Sequence, residues 1–322
     1  MGESFQMKRA FVFPGQGSQA VGMGRSLAEA FSAARNLFEE VDEALSQHLS
    51  RLMFEGPESD LTLTENAQPA LLAASLAVIR VLETEGGLAF GRHVAYVAGH
   101  SLGEYSALAA ARAVTVADAT RLVKLRGRTM QKAVPVGEGA MAALLGLDVE
   151  AARAVAAEAV LSEPDQVCAV ANDNAPGQVV ISGHHRAVER AIAIARERGA
   201  RRSIMLPVSA PFHSPLMVPA AEVMEKALDK TALCAPLVPI VANMSASAIS
   251  DPVEVKRQLV GQVTAMVRWR ESMLYLKTAE VDEVAELGSG RVLTGLIRRI
   301  DPDFSPRSVC TPAEVDALMK EL

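Results

Sequence analysis

Gly99-His100-Ser101-Leu102-Gly103 sets a serine between two glycines, with an apolar run before it and a small-residue helical pattern after it. In a strand-turn-helix setting such a turn projects the hydroxyl. The N–H after the serine can then face a developing oxyanion, and the following helix N-terminus adds positive potential. The chemistry implied is acyl chemistry through a serine ester. A tight packing turn is the structural alternative. Glu104, in the next turn, reads as a carboxylate matched to the helix dipole.

A serine nucleophile needs a base, and the chain has six histidines. His48 falls in an amphipathic helical pattern, His93 opens a strand, His100 adjoins the serine with its side chain directed elsewhere, and His184 and His185 open a polar helix. His213 remains, in the proline-bounded segment Ala210-Pro211-Phe212-His213-Ser214-Pro215. A loop at a cleft rim suits a general base, but the residues alone leave His213 balanced between that role and a satisfied polar group.

A second glycine turn, Gly15-Gln16-Gly17-Ser18-Gln19-Ala20, follows a strand and formally fits a dinucleotide fingerprint. The acid expected about 20 residues on would be Glu39, Glu40 or Asp42, inside an amphipathic helix. The better reading is a turn whose free N–H groups and amide side chain approach a reacting carbonyl. Gly288-Ser289-Gly290-Arg291 reads as a helix-opening turn, and no P-loop pattern occurs.

The elements that must hold these residues alternate from the start. Strands are predicted at 9–13 and 93–98, and helices at 31–49, 65–85 and 102–111, consistent with a mostly parallel sheet flanked by helices. The middle differs: strand 141–145, helix 149–161, strands 167–171 and 178–182 joined by a loop at 172–177, helix 186–198 and strand 203–208. That order is the split-βαβ, ferredoxin-like pattern. The fold class expected is therefore α/β: a large, hydrolase-like domain formed by 7–134 and 208–322, and a ferredoxin-like insert at 135–207, with a cleft between them. The α/β pattern resumes with strand 239–242, helix 252–263, strand 283–287 and helix 292–300.

Composition narrows the function. Half of the 322 residues are hydrophobic and only 4% aromatic, so the core is aliphatic. Lys and Arg number 32 against 38 Asp and Glu, a net charge of −6 that argues against broad binding to nucleic acid or anionic membrane. Cys168, Cys234 and Cys310 are odd in number and widely spaced, which offers no disulfide framework or metal pair and fits a reducing cytoplasm. The apolar stretch 70–79 is too short to span a bilayer, and the run 10–13 is broken at once by Pro14-Gly15, so neither a membrane span nor a signal peptide is expected. Residues 1–6 precede a second methionine, Met7, and are set aside.

Five segments together resemble one family. Phe13-Pro14-Gly15-Gln16-Gly17-Ser18-Gln19, Asn66-Ala67-Gln68-Pro69-Ala70-Leu71, Gly99-His100-Ser101-Leu102-Gly103-Glu104-Tyr105-Ser106-Ala107, Asn172-Asp173-Asn174-Ala175-Pro176-Gly177-Gln178 and Gly290-Arg291-Val292-Leu293-Thr294-Gly295-Leu296 are similar, in order, to the malonyl-CoA:acyl-carrier-protein transacylases of bacterial fatty-acid synthesis. The resemblance implies Ser101 as nucleophile and His213 as general base and acid. It places Arg126 where the family holds the malonyl carboxylate, Gln16 and Leu102 as oxyanion N–H donors, and Gln262 as the residue whose backbone carbonyl orients the histidine. His100 joins the substrate-binding positions. It further implies malonyl-CoA and acyl carrier protein as partners and no cofactor or metal; the sequence is silent on oligomeric state, and a monomer is the expectation taken. The chain departs from the family's common Asn-Pro at Ala265-Met266 and from its proline at Ser289, and the first departure leaves the path after Gln262 open.

The carboxylate assignment has a physical basis. A malonyl carboxylate entering a closed site must be paired, and a guanidinium offers two parallel charge-assisted hydrogen bonds that an ammonium cannot. Without the motifs, Arg126 beside Lys124 and Arg128 would read as a helix-surface arginine. A serine esterase and a non-catalytic carrier-binding subunit are the alternatives. An acidic carrier protein would need a local basic face, for which Arg186, Arg190, Arg196, Arg198, Arg201 and Arg202 are candidates.

Overall fold

Strand β1 (Arg9–Phe13) is buried along its whole length because helices cover both faces of the sheet it centres. Phe11 and Phe13 point into one apolar cluster while Ala10 and Val12 point into another, the alternation that a strand's two-residue period imposes. The computed structural model describes residues 7–208 and 210–322; residues 1–6, set aside above, lie outside the described residues.

The other strands are β2 (Tyr96–Gly99), β3 (Gly139–Leu145), β4 (Cys168–Ala175), β5 (Gln178–His184), β6 (Arg202–Met205), β7 (Ile240–Val241), β8 (Ala248–Ile249), β9 (Glu283–Leu287) and β10 (Ser305–Val309). One sheet has the order β10-β9-β1-β2-β7-β8. It is parallel except for the edge pair β7/β8. The second sheet, β4-β5-β3-β6, is antiparallel throughout.

On one face of the parallel sheet lie the helices Ser32–Leu45, Thr64–Thr84, Gly103–Ala110 and Val116–Lys132, contributing Leu37, Leu71, Leu72, Leu108 and Val123 to a common core. Trp269, Met273 and Leu276 of the helix Trp269–Thr278, with Leu293 and Ile297 of the helix Val292–Ile300, cover the other. Each such fully buried side chain contributes roughly 1.5–3 kcal/mol. Among the described residues, Thr64–Thr84 is the one helix long and apolar enough to cross a membrane, and here it is an interior helix of this core. The 70–79 run judged too short is its centre.

The antiparallel sheet carries the helices Val149–Glu158 and His185–Glu197 on one face, where Ala142, Leu144 and Ile181 meet Val155 and Val188. Its other face turns Met141, Ala143 and Val180 toward the main core. The two sheets are stitched together beyond Gln262: Val267 N–H donates to Ala171 O (2.8 Å), Asp173 N–H donates to Val267 O (3.0 Å), and Arg270 pairs with Asp173 at 2.8 Å. These bonds settle the path left open at Ala265-Met266.

Most expected elements are present, with shifted ends. The segment 172–175, expected as loop, extends β4 instead, with register shifts between Val170 and Asn172 and between Asp173 and Ala175. Pairing with β5, together with the bonds to Val267, holds this polar stretch extended. The strand expected at 93–98 begins only at Tyr96, so His93 sits in a turn, and His48 lies between two helices.

Candidate active site

Phe13 and Gly99 are paired neighbours on β1 and β2, so the two glycine turns leave the sheet side by side. A Cβ on Gly99 would fall 1.9 Å from the Gly103 carbonyl, and one on Gly103 would fall 2.2 Å from Phe13 O. These glycines therefore serve close backbone approach. The left-handed conformation sits on Ser101 itself, at φ 55°. Three bonds hold it there. Ser101 N–H donates to Asn243 Oδ1 (2.7 Å), Asn243 Nδ2 donates to Gly99 O (2.7 Å), and Gln262 Nε2 donates to Ser101 O (2.9 Å).

His213 occupies a second left-handed position, φ 57°, in the segment that follows β6. Its Nε2 lies 2.8 Å from Ser101 Oγ and its Nδ1 lies 2.9 Å from Gln262 O. A carbonyl only accepts, so Nδ1 carries the proton and Nε2 presents a lone pair to the serine hydroxyl. Burial, reinforced by the Arg126 cation, pushes its pKa down to about 3 and keeps the ring neutral.

Arg126, on the helix Val116–Lys132, is 1% exposed and points into the site. Its Nη1 donates to Gln68 Oε1 (2.9 Å), and its Nη2 donates to Gln262 Oε1 (2.9 Å) and Ser101 Oγ (3.0 Å). Nε has no partner, and no Asp or Glu pairs with the guanidinium among the described residues. Burial depresses its pKa. Gln68 Nε2 in turn donates to Thr64 Oγ1 (3.0 Å), which donates to Gln16 Oε1 (2.8 Å).

Ser101, His213, Arg126, Gln68 and Gln16 open onto a cavity of about 500 Å³. Gln16, Ser101, Leu102 and Arg126 form one wall, and Met141, Asn172, Asn174 and Val180 from the antiparallel sheet form the other. The backbone N–H groups of Gln16 and Leu102 have no acceptor among the described residues, leaving both free beside Ser101. His100 bonds through Nε2 to Asn174 Oδ1 (2.9 Å) and packs against Trp269. The arrangement can transfer an acyl group to a serine oxygen and retain an anionic acyl substituent beside it.

The acyl transferase domain family matches residues 10–295. The chain belongs to this family. The malonyl CoA-acyl carrier protein transacylase of Bacillus subtilis is 44% identical over 98% of this chain and 97% of its own length. Among solved structures, the acyl-carrier-protein S-malonyltransferase of Bartonella henselae is 52% identical, with a TM-score of 0.94 over 98% of this chain and 99% of that one. A malonyl-transacylase solved in complex with a type II polyketide synthase acyl-carrier protein is 40% identical, with a TM-score of 0.93 over 98% of this chain and 100% of that one. The family resemblance drawn from five motifs is thereby borne out.

In this acyl transferase the residues singled out from sequence, Ser101, His213, Arg126, Gln16, Leu102, His100 and Gln262, gather around one cavity or hold those that line it. Arg126 is buried, contrary to the surface reading that its charged neighbours alone would favour. Gln262 contributes its side chain as well as its carbonyl. Three positions take roles that the sequence did not assign to them. Gln68 was present only as part of a motif, Asn243 carried no local signal, and Glu104 proves to be buried against Asn243 and Gln262. The Gly15–Ala20 turn faces the serine cavity through Gln16, Gly17 and Gln19, as the non-dinucleotide reading required.

Proposed function

We propose that this acyl transferase moves a malonyl group from malonyl-CoA to the phosphopantetheine thiol of an acyl carrier protein, by a ping-pong route through a malonyl ester of Ser101. Ser101 Oγ attacks the thioester carbonyl while its proton passes to His213 Nε2. The N–H groups of Gln16 and Leu102 hold the oxyanion. Collapse breaks the carbon–sulfur bond, and the departing CoA thiolate takes the proton from His213. The carrier thiol then gives its proton to His213, attacks the ester, and the same steps in reverse restore Ser101. Only protons and one acyl group move, so the reaction as written draws on no cofactor.

The observation that carries this reading is a buried guanidinium with no carboxylate partner among the described residues, whose Nη2 lies 3.0 Å from the attacking oxygen. A neutral acyl group would leave that cation uncompensated, and a malonyl carboxylate pairs with it. The decisive experiment is intact-protein mass spectrometry after mixing with malonyl-CoA. A malonyl adduct on Ser101 that is discharged by carrier protein is expected. Rapid net hydrolysis of neutral esters without an adduct would instead indicate an esterase.

Residues 135–207 read as a ferredoxin-like insert within a large domain made of 7–134 and 208–322. The strand order β4-β5-β3-β6, with helices after β3 and β5, supports this division. The proposed setting is a cytoplasmic monomer supplying fatty-acid elongation, in keeping with three free cysteines. Because one structural relative is bound to a polyketide carrier, fatty-acid and polyketide carriers should be compared directly as acceptors.

A further inference from the structure

Glu104 is 2% exposed and forms no ion pair among the described residues. Its two oxygens accept from Asn243 N–H (3.3 Å) and from Gln262 Nε2. The helix-dipole role expected from its position does not describe it, since its donors come from distant segments. The Gln262 amide has a single satisfactory orientation. Its NH2 group faces three acceptors, Glu104 Oε2, Ser101 O (2.9 Å) and Asn243 Oδ1 (3.4 Å), so its Oε1 must face Arg126 Nη2 at 2.9 Å. The amide dipole thus lies between a buried carboxylate and a buried guanidinium, its positive end on one and its negative end on the other.

We infer that Glu104 is a positioning residue for acyl selectivity: by fixing the Gln262 amide it aims the Arg126 guanidinium at the substrate carboxylate beside Ser101. The effect runs through Gln262, and Glu104 itself touches no reacting atom. Without the carboxylate, the NH2 group keeps only Ser101 O and the longer contact to Asn243 Oδ1, so the amide holds Arg126 Nη2 less firmly and the cation is less well aimed. Burial raises the Glu104 pKa to about 7, which the Gln262 bond and the Arg126 charge oppose, so the carboxylate and its relay are energetically linked. Gln262's backbone carbonyl, which orients His213, is held by the end of the helix Pro252–Gln262 and does not depend on the relay. Loss of Glu104 should therefore fall on the carboxylate site more than on the serine and histidine.

This inference rests on Arg126 holding the malonyl carboxylate, and the test separates the two ideas. Transfer from malonyl-CoA and from acetyl-CoA is measured for wild type, Arg126→Ala, Glu104→Ala, Glu104→Gln and Gln262→Met, with folding monitored by thermal melts. Glu104→Ala should lower kcat/KM for malonyl-CoA about tenfold or more, mainly through KM, with acetyl transfer nearly unchanged. Glu104→Gln, which keeps an acceptor facing Gln262, should restore most of the selectivity. Gln262→Met, which also loses the bond to Ser101 O, should lower transfer of both acyl groups but malonyl the more, and its malonyl-to-acetyl ratio decides the matter should Glu104→Ala not fold. Equal losses for both acyl groups in folded Glu104→Ala or Gln262→Met, or a Glu104→Gln variant as unselective as Glu104→Ala, would overturn the inference. If Arg126→Ala itself kept malonyl selectivity, the carboxylate reading would fall, and this one with it.

Discussion

Ser101 Oγ sits between His213 Nε2 at 2.8 Å and Arg126 Nη2 at 3.0 Å, accepting from the guanidinium while donating to the imidazole. The hydroxyl is therefore polarised from both sides before substrate arrives. Both flanking groups are buried, so their influence is not screened by bulk water. Ser101→Ala should reduce transfer by on the order of 10⁴-fold or more, because the nucleophile cannot be replaced by its neighbours. Its melting temperature should stay near that of wild type, since the backbone bonds to Asn243 and Gln262 remain. Mass spectrometry with malonyl-CoA should find no ester on this variant.

Arg126→Ala should depress kcat/KM for malonyl-CoA by roughly 10²–10³-fold, the cost of leaving a buried substrate charge unpaired. Acetyl-CoA should be affected far less. Arg126→Lys should recover only part of the malonyl loss, since an ammonium lacks the planar fork. Steady-state rates with the two thioesters check both statements, and equal losses would remove the carboxylate role.

The charge of Arg126 also bears on the base. His213 is neutral because burial and the adjacent cation oppose its protonation, holding its pKa at about 3. Removing the cation in Arg126→Ala should move the pKa upward, and so should a dicarboxylate seated against Arg126. A titration of ¹⁵N-labelled imidazole by NMR should register both shifts with the same sign.

The same depression links stability to pH. Unfolded His213 titrates near its ordinary value of about 6.5, so between that pH and about 3 the unfolded chain binds more protons than the folded one. Its contribution to stability is therefore lost progressively as pH falls through that window. Glu104 acts oppositely: with its pKa raised to about 7, its contribution falls as pH rises from 4.5 toward 7. His213→Gln should lose less stability than wild type between pH 7 and pH 5, as read by urea unfolding.

Gly103→Ala places a methyl 2.2 Å from Phe13 O, which is backbone at the centre of the sheet and cannot yield. Destabilisation of on the order of 3 kcal/mol or more is expected, visible as a lowered urea midpoint. Gly17→Ala meets no atom within 4 Å and is strained only through its φ of 104°. It should lose about 1 kcal/mol.

Carrier docking can be separated from chemistry. Of the six arginines proposed to form a basic face, Arg190 is committed to Glu163 and Arg198 to Glu158, whereas Arg186, Arg196, Arg201 and Arg202 are exposed without ion-pair partners among the described residues. Arg201→Glu with Arg202→Glu should slow transfer to carrier protein about tenfold at low salt while sparing a small pantetheine thiol. An unchanged carrier rate would place the docking face elsewhere.

The nucleophile was legible in sequence because an elbow is a local object: a strand, a sharp turn and a helix within about fifteen residues, with glycines where backbones touch. The alternation of β and α patterns fixed the class of fold for the same reason, since periodicity reflects which faces are buried. Arg126 and Gln262 acquired their roles only through the family resemblance, and His213, reached by elimination among the histidines, stayed balanced until the resemblance decided it, because their partners lie far along the chain: Ser101 is 112 residues from His213 and Gln262 is 136 from Arg126. Arg126 beside two other basic residues carries no local mark of burial; only helix packing against Thr64–Thr84 turns it inward. The stretch 172–175 looked like a loop because most of its residues are polar, and it is strand because β5 pairs with it on one side while Val267 bonds Ala171 and Asp173 on the other. Glu104, Asn243 and Gln68 show the remaining difference. A buried polar group is defined by what satisfies it, and those partners are brought together by tertiary structure, not by spacing along the chain.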